Sequence, residues 1–180
     1  MDFEEKMISS REIFDGRVIR VCEDIVRLPN GSKGVREIVH HRGAVCILPL
    51  DGDGNVICVR QFRYAHGESM LEIPAGKLEK EDYDPREAAL RELSEETGAS
   101  CQSLEYLGKL YTSPAIFDEV IYMYMATGLT FGETHPDEDE FLRIEKVPLS
   151  ELKDMVMHGE IPDSKTQACV LRAYIKQKEL

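Results

Sequence analysis

The sequence predicts an α/β arrangement, a mixed sheet covered by helices. Stretches with strand-like patterning outnumber helical ones. The helical stretches are interspersed among the strands rather than set apart from them. Clusters of Gly, Pro, Asn and Asp punctuate the series.

Taken in order, residues 17–28 carry many β-branched side chains and close on Pro29-Asn30-Gly31, which reads as a strand and a turn. Residues 35–41 read as the returning strand. Two short strands of mixed polarity build no stable core alone, so they cover the main domain or pair with a second copy. Residues 44–50 form an apolar run suited to a buried strand. Asp51-Gly52-Asp53-Gly54-Asn55 is a hairpin loop, and 56–62 is the return. Leu71-Glu72-Ile73-Pro74 ends a further strand, and Ala75-Gly76 opens a loop. A helix then starts at the Asp84 cap, with Pro85 at its first position and Glu87 in a capping box, and it stops at Gly98. Residues 104–112 and 119–126 read as strands flanking Ser113-Pro114. Residues 130–140 read as an exposed acidic loop. A strand over 141–147 and helices over 150–158 and 164–178 finish the chain; Ser164 and Gln167 fit a capping box for the last helix.

Composition narrows the function classes. The 180 residues fit one domain of ordinary size with a small extension. Such a chain buries roughly 70% of its unfolded surface and needs no covalent staple. The 42% hydrophobic and 31% charged content is that of a globular protein. The longest apolar run, 44–48, is far short of the roughly 20 residues of a spanning helix, so no membrane partner is expected. The acidic opening residues have no apolar stretch, so no secretory signal is expected there. Cys22, Cys46, Cys58, Cys101 and Cys169 are odd in number, scattered and free of any CxxC spacing, which points to a reducing cytoplasm. The net charge of −12 repels polyanions, so nucleic acid is not an expected partner.

The chemistry concentrates in residues 76–99. Projected at about 100° per residue, Leu90, Leu93 and Thr97 fall on one side of the helix and are expected to face the core. Glu92, Glu95 and Glu96 fall on the other. A lone acidic pair on a helix is ordinarily a solvated face. Here the like charges at i,i+4 repel, no lysine relieves them, and the helix C-terminus disfavours anions. Such a face calls for cations, and an oxygen-only donor set suits Mg²⁺, with Mn²⁺ as a substitute. Arg91, four before Glu95, is placed to hold one carboxylate and fix the rest.

Gly76, Arg91-Glu92-Leu93-Ser94-Glu95-Glu96-Thr97-Gly98 and Ala99 together resemble the Nudix box. One position departs from it: the loop glutamate of the family falls on Tyr83 counted from the arginine and on Asp82 counted from the glycine, so the loop is one residue longer and Asp82 is the stand-in. Gln61-Phe62-Arg63, the 71–77 segment, Tyr111-Thr112-Ser113-Pro114, Asp118-Glu119, Arg36-Glu37-Ile38-Val39 and Arg42-Gly43-Ala44-Val45 extend the resemblance to the ADP-ribose pyrophosphatase branch of that family.

The resemblance implies a Nudix-type α/β/α sandwich over 43–180, with antiparallel strands in 1–42 used for homodimerisation. It implies hydrolysis of ADP-ribose to AMP and ribose 5-phosphate, with pyrophosphatases of other nucleotide sugars or dinucleotides, or a non-catalytic sensor, as the alternatives. It assigns Glu92 and Glu96 as metal ligands, Glu95 close behind them, the Ala75 carbonyl as a further ligand, and Glu140 in support. Glu138 is assigned as general base; the sequence leaves it and Glu140 interchangeable. Arg63 is assigned to the diphosphate, because an arginine fork matches phosphate oxygens. Arg27 and Arg36 are assigned to the nucleoside or ribose of a partner's ligand, and Ser113, Ala115 and Glu119 to the terminal ribose. Ala115 stands where relatives usually have glycine. His40 and His41 lack a third ligand at useful spacing and read as strand residues.

Overall fold

The computed structural model describes residues 3–80, 82, 84–134 and 141–178. The chain divides into two compact units: Met1–Gly43 with Tyr111–Val120, and Ala44–Leu110 with Ile121–Leu180.

The first unit contains an antiparallel sheet of β1 (Lys6–Asp15), β2 (Arg20–Arg27) and β3 (Lys33–His40), in the order β1-β2-β3. Every residue of β1 is exposed, including Met7, Ile8, Ile13 and Phe14. Sequence patterning does not mark β1, because its apolar positions do not alternate cleanly with polar ones. The expected start of the next strand, 17, lies three residues before the observed one. The segment after Tyr111 is pinned to β3: the Val39 N–H donates to the Ile116 carbonyl at 2.7 Å, and the Asp118 N–H donates to the Val39 carbonyl at 3.1 Å.

The second unit is built on β4 (Ala44–Pro49), which lies parallel to β9 (Val120–Phe131). These two form a four-stranded sheet with β7 (Ala75–Lys77) and β8 (Ala99–Tyr111), in the order β7-β4-β9-β8. A second sheet has the order β10-β5-β6, from β5 (Asn55–Arg63), β6 (Glu68–Glu72) and β10 (Leu142–Pro148). All six residues of β4 are buried, and this explains its unbroken apolar run: a central strand covered on both faces needs no alternation. Ala44, Cys46 and Leu48 pack towards Leu152 and Val156 of α2 (Leu149–Met157) and Cys169, Val170 and Ala173 of α3 (Ser164–Lys178). Val45 and Ile47 pack the other way, with Ala88, Ala89 and Leu93 of α1 (Pro85–Thr97). This period-two division of one strand between two helical layers is the α/β/α sandwich that the resemblance implies.

Several local expectations need correction. Ala75 and Gly76 do not open a loop; they pair with Cys46 and Val45 in register. Strand β8 begins five residues earlier than expected, and β9 runs on to Phe131 into the stretch read as loop. The first turn of α3 is capped by Asp163, whose carboxylate accepts from the Thr166 N–H at 2.9 Å, and not by a Ser164–Gln167 box. The Gln167 side chain donates instead to the Ile161 carbonyl.

The correction that matters most is on α1. Leu90 is 38% exposed, while Glu92 and Glu96 are 7% and 1% exposed. The buried residues Ala88, Glu92, Glu96, Ala89, Leu93 and Thr97 span an arc of about 180°, centred between Glu96 and Ala89, and Leu90 lies about 20° past its edge. The apolar stripe is therefore only half of the buried face. Ala88 and two carboxylates make up the rest.

Candidate active site

Helix α1 begins and ends as its sequence dictates. The Asp84 carboxylate accepts from the Arg86 N–H at 2.9 Å. Gly98 adopts φ 66, where a Cβ would stand 2.6 Å from the Gly132 carbonyl oxygen. Only glycine can close the helix there. The caps fix the limits of the helix, and its packing against β4 and β7 fixes which face the carboxylates occupy.

Glu92 lies against the backbone of Gly76. A Cβ built on Gly76 would fall 2.0 Å from its carboxyl carbon, so the glycine exists to admit that carboxylate. Glu96, in the middle of the buried arc, accepts from the Ala75 N–H at 3.2 Å. Arg91 stands at the rim. Its Nη1 donates to Glu95 Oε2 at 2.8 Å and lies 2.9 Å from Glu92 Oε1. Its Nη2 lies 3.4 Å from Asp82 Oδ2, and that same oxygen accepts from the Glu79 N–H at 2.7 Å. Asp82 thus braces Arg91 from the longer loop, as its stand-in position implies. Burial pulls the Arg91 guanidinium towards its neutral form, but the charges of Glu92, Glu95 and Asp82 outweigh it and hold the pKa above its ordinary value.

A second charged network lies in the same unit. Arg63 stands opposite Glu68 in the β5–β6 register, yet its guanidinium reaches back to Glu72. Nε donates to Oε1 and Nη2 to Oε2, both at 2.7 Å. Glu72 is 1% exposed and also accepts from Lys165 Nζ, itself 7% exposed. Lys165 Nζ lies 2.9 Å from Asp163 Oδ1. Burial alone would push the Glu72 carboxyl up, but Arg63 and Lys165 hold it below its usual value. Thr166 Oγ accepts from the Ile73 N–H at 3.0 Å, and the Pro74 carbonyl accepts from the Ile47 N–H at 2.9 Å. Every residue from 72 to 75 is thereby tied to a neighbouring element.

The remaining expected residues lie in the first unit. Arg27 donates to the Gly31 carbonyl at 3.3 Å. Arg36 is paired with Glu5 and donates to the Val35 carbonyl. Ser113 starts a tight turn that contains Ala115; its carbonyl accepts from the Ile116 and Phe117 N–H groups. Glu119 accepts from the Thr112 hydroxyl at 3.0 Å and lies 3.3 Å from His41 Nδ1. His40 Nδ1 lies 2.6 Å from Asp118 Oδ2. Glu138 and Glu140 lie outside the described residues.

Buried paired carboxylates against a glycine-alanine backbone are the geometry of the motif noted above, and comparison with known families decides the matter. The NUDIX domain matches residues 39–167, and the nucleoside diphosphate sugar hydrolase N-terminal domain matches residues 5–39. The chain belongs to the Nudix family. This Nudix chain is 45% identical over 170 residues to the methanol dehydrogenase activator of Bacillus methanolicus, covering 93% of its own length and 91% of the relative's. It is 41% identical over 178 residues to an ADP-ribose pyrophosphatase of Bacillus subtilis (strain 168), covering 98% and 95%. A solved ADP compounds hydrolase superposes with a TM-score of 0.83 at 23% identity, over 99% of this chain and 98% of that one, and so shares the fold.

The family implies a divalent cation, and the residues present fit one. Glu92 and Glu96 bring two buried carboxylates to the Ala75–Gly76 backbone, an oxygen-only set of the kind hard cations take. Among the described residues, no three His, Cys, Asp or Glu side chains form a ready-made metal cluster, so the set is partial. No helix among them is long and apolar enough to cross a membrane.

Of the residues expected at the Nudix centre, the structure brings together Ala75, Arg91, Glu92, Glu95 and Glu96. Glu72 and Lys165 were missed. A single acid inside the apolar Leu71-Glu72-Ile73-Pro74 run was a signal for the first. Nothing local marks Lys165, which lies 93 residues from its carboxylate.

Proposed function

We propose that this chain hydrolyses the pyrophosphate bond of ADP-ribose to AMP and ribose 5-phosphate with Mg²⁺ bound, Mn²⁺ being a substitute. One observation carries the reading: two nearly fully buried carboxylates, Glu92 and Glu96, share one backbone edge at Ala75–Gly76. Carboxylates gathered at one edge repel each other, and a divalent cation bound between them relieves that repulsion. Glu92, Glu96, Glu95, Glu140 and the Ala75 carbonyl would hold the ion. When bound, it neutralises diphosphate charge and lowers the pKa of a coordinated water.

The chain's own residues do the rest. Arg63 presents a guanidinium to the diphosphate oxygens. Arg91 keeps Glu92 and Glu95 oriented. Glu138 takes the proton of the attacking water, while the bond from phosphorus to the bridging oxygen breaks. Ser113, Ala115 and Glu119 meet the terminal ribose. The exposed apolar side chains of β1 support a homodimer paired through residues 1–42, with Arg27 and Arg36 reaching the partner's ligand. Five free cysteines support a cytoplasmic setting.

A second reading, hydrolysis of other nucleotide sugars or dinucleotides, draws on Ala115 in the turn where relatives usually have glycine. The test is a panel of nucleoside diphosphate compounds with Mg²⁺ and product identification. The reading expects ADP-ribose to be turned over best, giving AMP. Turnover of another nucleoside diphosphate compound in preference to ADP-ribose establishes the second reading, and no turnover of any defeats both.

A further inference from the structure

We infer that Lys165 is a positioning residue: through Glu72 it sets the orientation in which Arg63 receives the diphosphate. This rests on the reading that Arg63 binds that group. Three observations lead to it. First, Glu72 is buried and binds Arg63 through both oxygens, so the guanidinium plane is dictated by the carboxylate plane. Second, Oε2 of that carboxylate, the oxygen that takes Arg63 Nη2, also accepts from Lys165, whose ammonium is steadied by Asp163 at 2.9 Å. Third, the neighbouring Thr166 holds the Ile73 N–H, so the first turn of α3 grips the segment between Arg63 and the Ala75–Glu96 contact at two successive residues.

The charge balance explains why a lysine is needed. A carboxylate facing a single guanidinium would neutralise it fully and compete with any phosphate for its remaining donors. Lys165 takes part of the Glu72 charge, so that two cations, Arg63 and Lys165, balance two anions, Glu72 and Asp163, and Glu72 is not spent on the guanidinium alone. Arg63 can then keep its place on Glu72 and still attract an anion. The arrangement also avoids an uncompensated buried charge on either partner.

The experiment is a double-mutant cycle on the full-length protein with Lys165→Met and Arg63→Gln, using whichever nucleoside diphosphate compound the wild type hydrolyses. Failure of the substrate assignment is thus separate from failure of this inference. Lys165→Met should raise KM about tenfold and change kcat by less than about threefold, since what is lost is substrate binding shared by ground and transition states. In the Arg63→Gln background the same change should raise KM by less than about twofold, because the residue it acts through is gone. Lys165→Arg should restore KM to within about threefold of wild type, because it keeps the charge. Equal KM increases in both backgrounds, or a loss confined to kcat, overturn the inference. If Lys165→Met does not fold, as judged by its thermal transition, Asp163→Asn is carried through the same cycle and read by the same criteria.

Discussion

At the scale of single residues, the informative side chains are the ones that violate burial rules. Glu96 occupies the middle of the buried face of α1, where an apolar residue would be expected, and it accepts from the Ala75 N–H. A buried carboxylate at that place is what the proposed metal site calls for. Glu96→Gln keeps the shape and an oxygen able to accept from Ala75 N–H, but removes the charge. It should lower kcat by about 100-fold or more, as expected for loss of a metal ligand, while the metal-free protein still folds and unfolds cooperatively. Steady-state kinetics and urea unfolding in chelator check the two halves. Near-normal turnover would remove Glu96 from the site. The sequence showed that these glutamates repel one another. It did not show that they point inwards, because the stripe of Leu90, Leu93 and Thr97 offered a rival face, and only packing against β4 and β7 decides between faces.

At the scale of elements, the β5–β10 pair shows how charge is managed across a strand register. Arg60 and Arg143 stand directly opposite one another, a repulsive cross-strand pair. Glu145, two residues along the same face, binds both: Arg60 Nε at 2.7 Å and Arg143 Nε at 3.0 Å. Its carboxyl is pulled from the usual 4.5 to about 2, chiefly by the hydrogen bond from Arg60. The folded state therefore binds this proton less readily than the unfolded state. The stabilisation is present above about pH 4.5 and disappears as pH falls towards about 2. After allowing for solvent screening, Glu145→Gln should cost about 1 kcal/mol at pH 7. Urea midpoints of wild type and variant should converge between those pH values; a gap that stays constant to pH 2 would refute the assignment. The strands were legible from composition. The facing arginines were not, since register depends on both strands at once.

At the scale of the whole molecule, β1 is a ten-residue strand with no buried side chain, and it carries Met7, Ile8, Ile13 and Phe14. An exposed apolar strand at a sheet edge invites pairing. The homodimer reading expects a sedimentation mass of twice 20.5 kDa. Placing a charge on this surface, as in Phe14→Glu, should return the mass to a single 20.5 kDa and weaken substrate binding. A monomeric wild type would end the dimer reading. Removal of residues 1–42 should have the same effect on mass.

The sequence by itself determined the family, the limits of α1 and which acidic residues are proposed as metal ligands. Those features are written in local spacing: a cap at Asp84, a stop at Gly98, and acids three and four residues apart between them. Tertiary structure alone decided which way α1 faces, that Gly76 is the seat of Glu92, and that Arg63 answers to a lysine 102 positions later in the chain. Burial and long-range ion pairing depend on which elements are adjacent. Adjacency is set by the packing of the whole sandwich, and no local window of residues contains it.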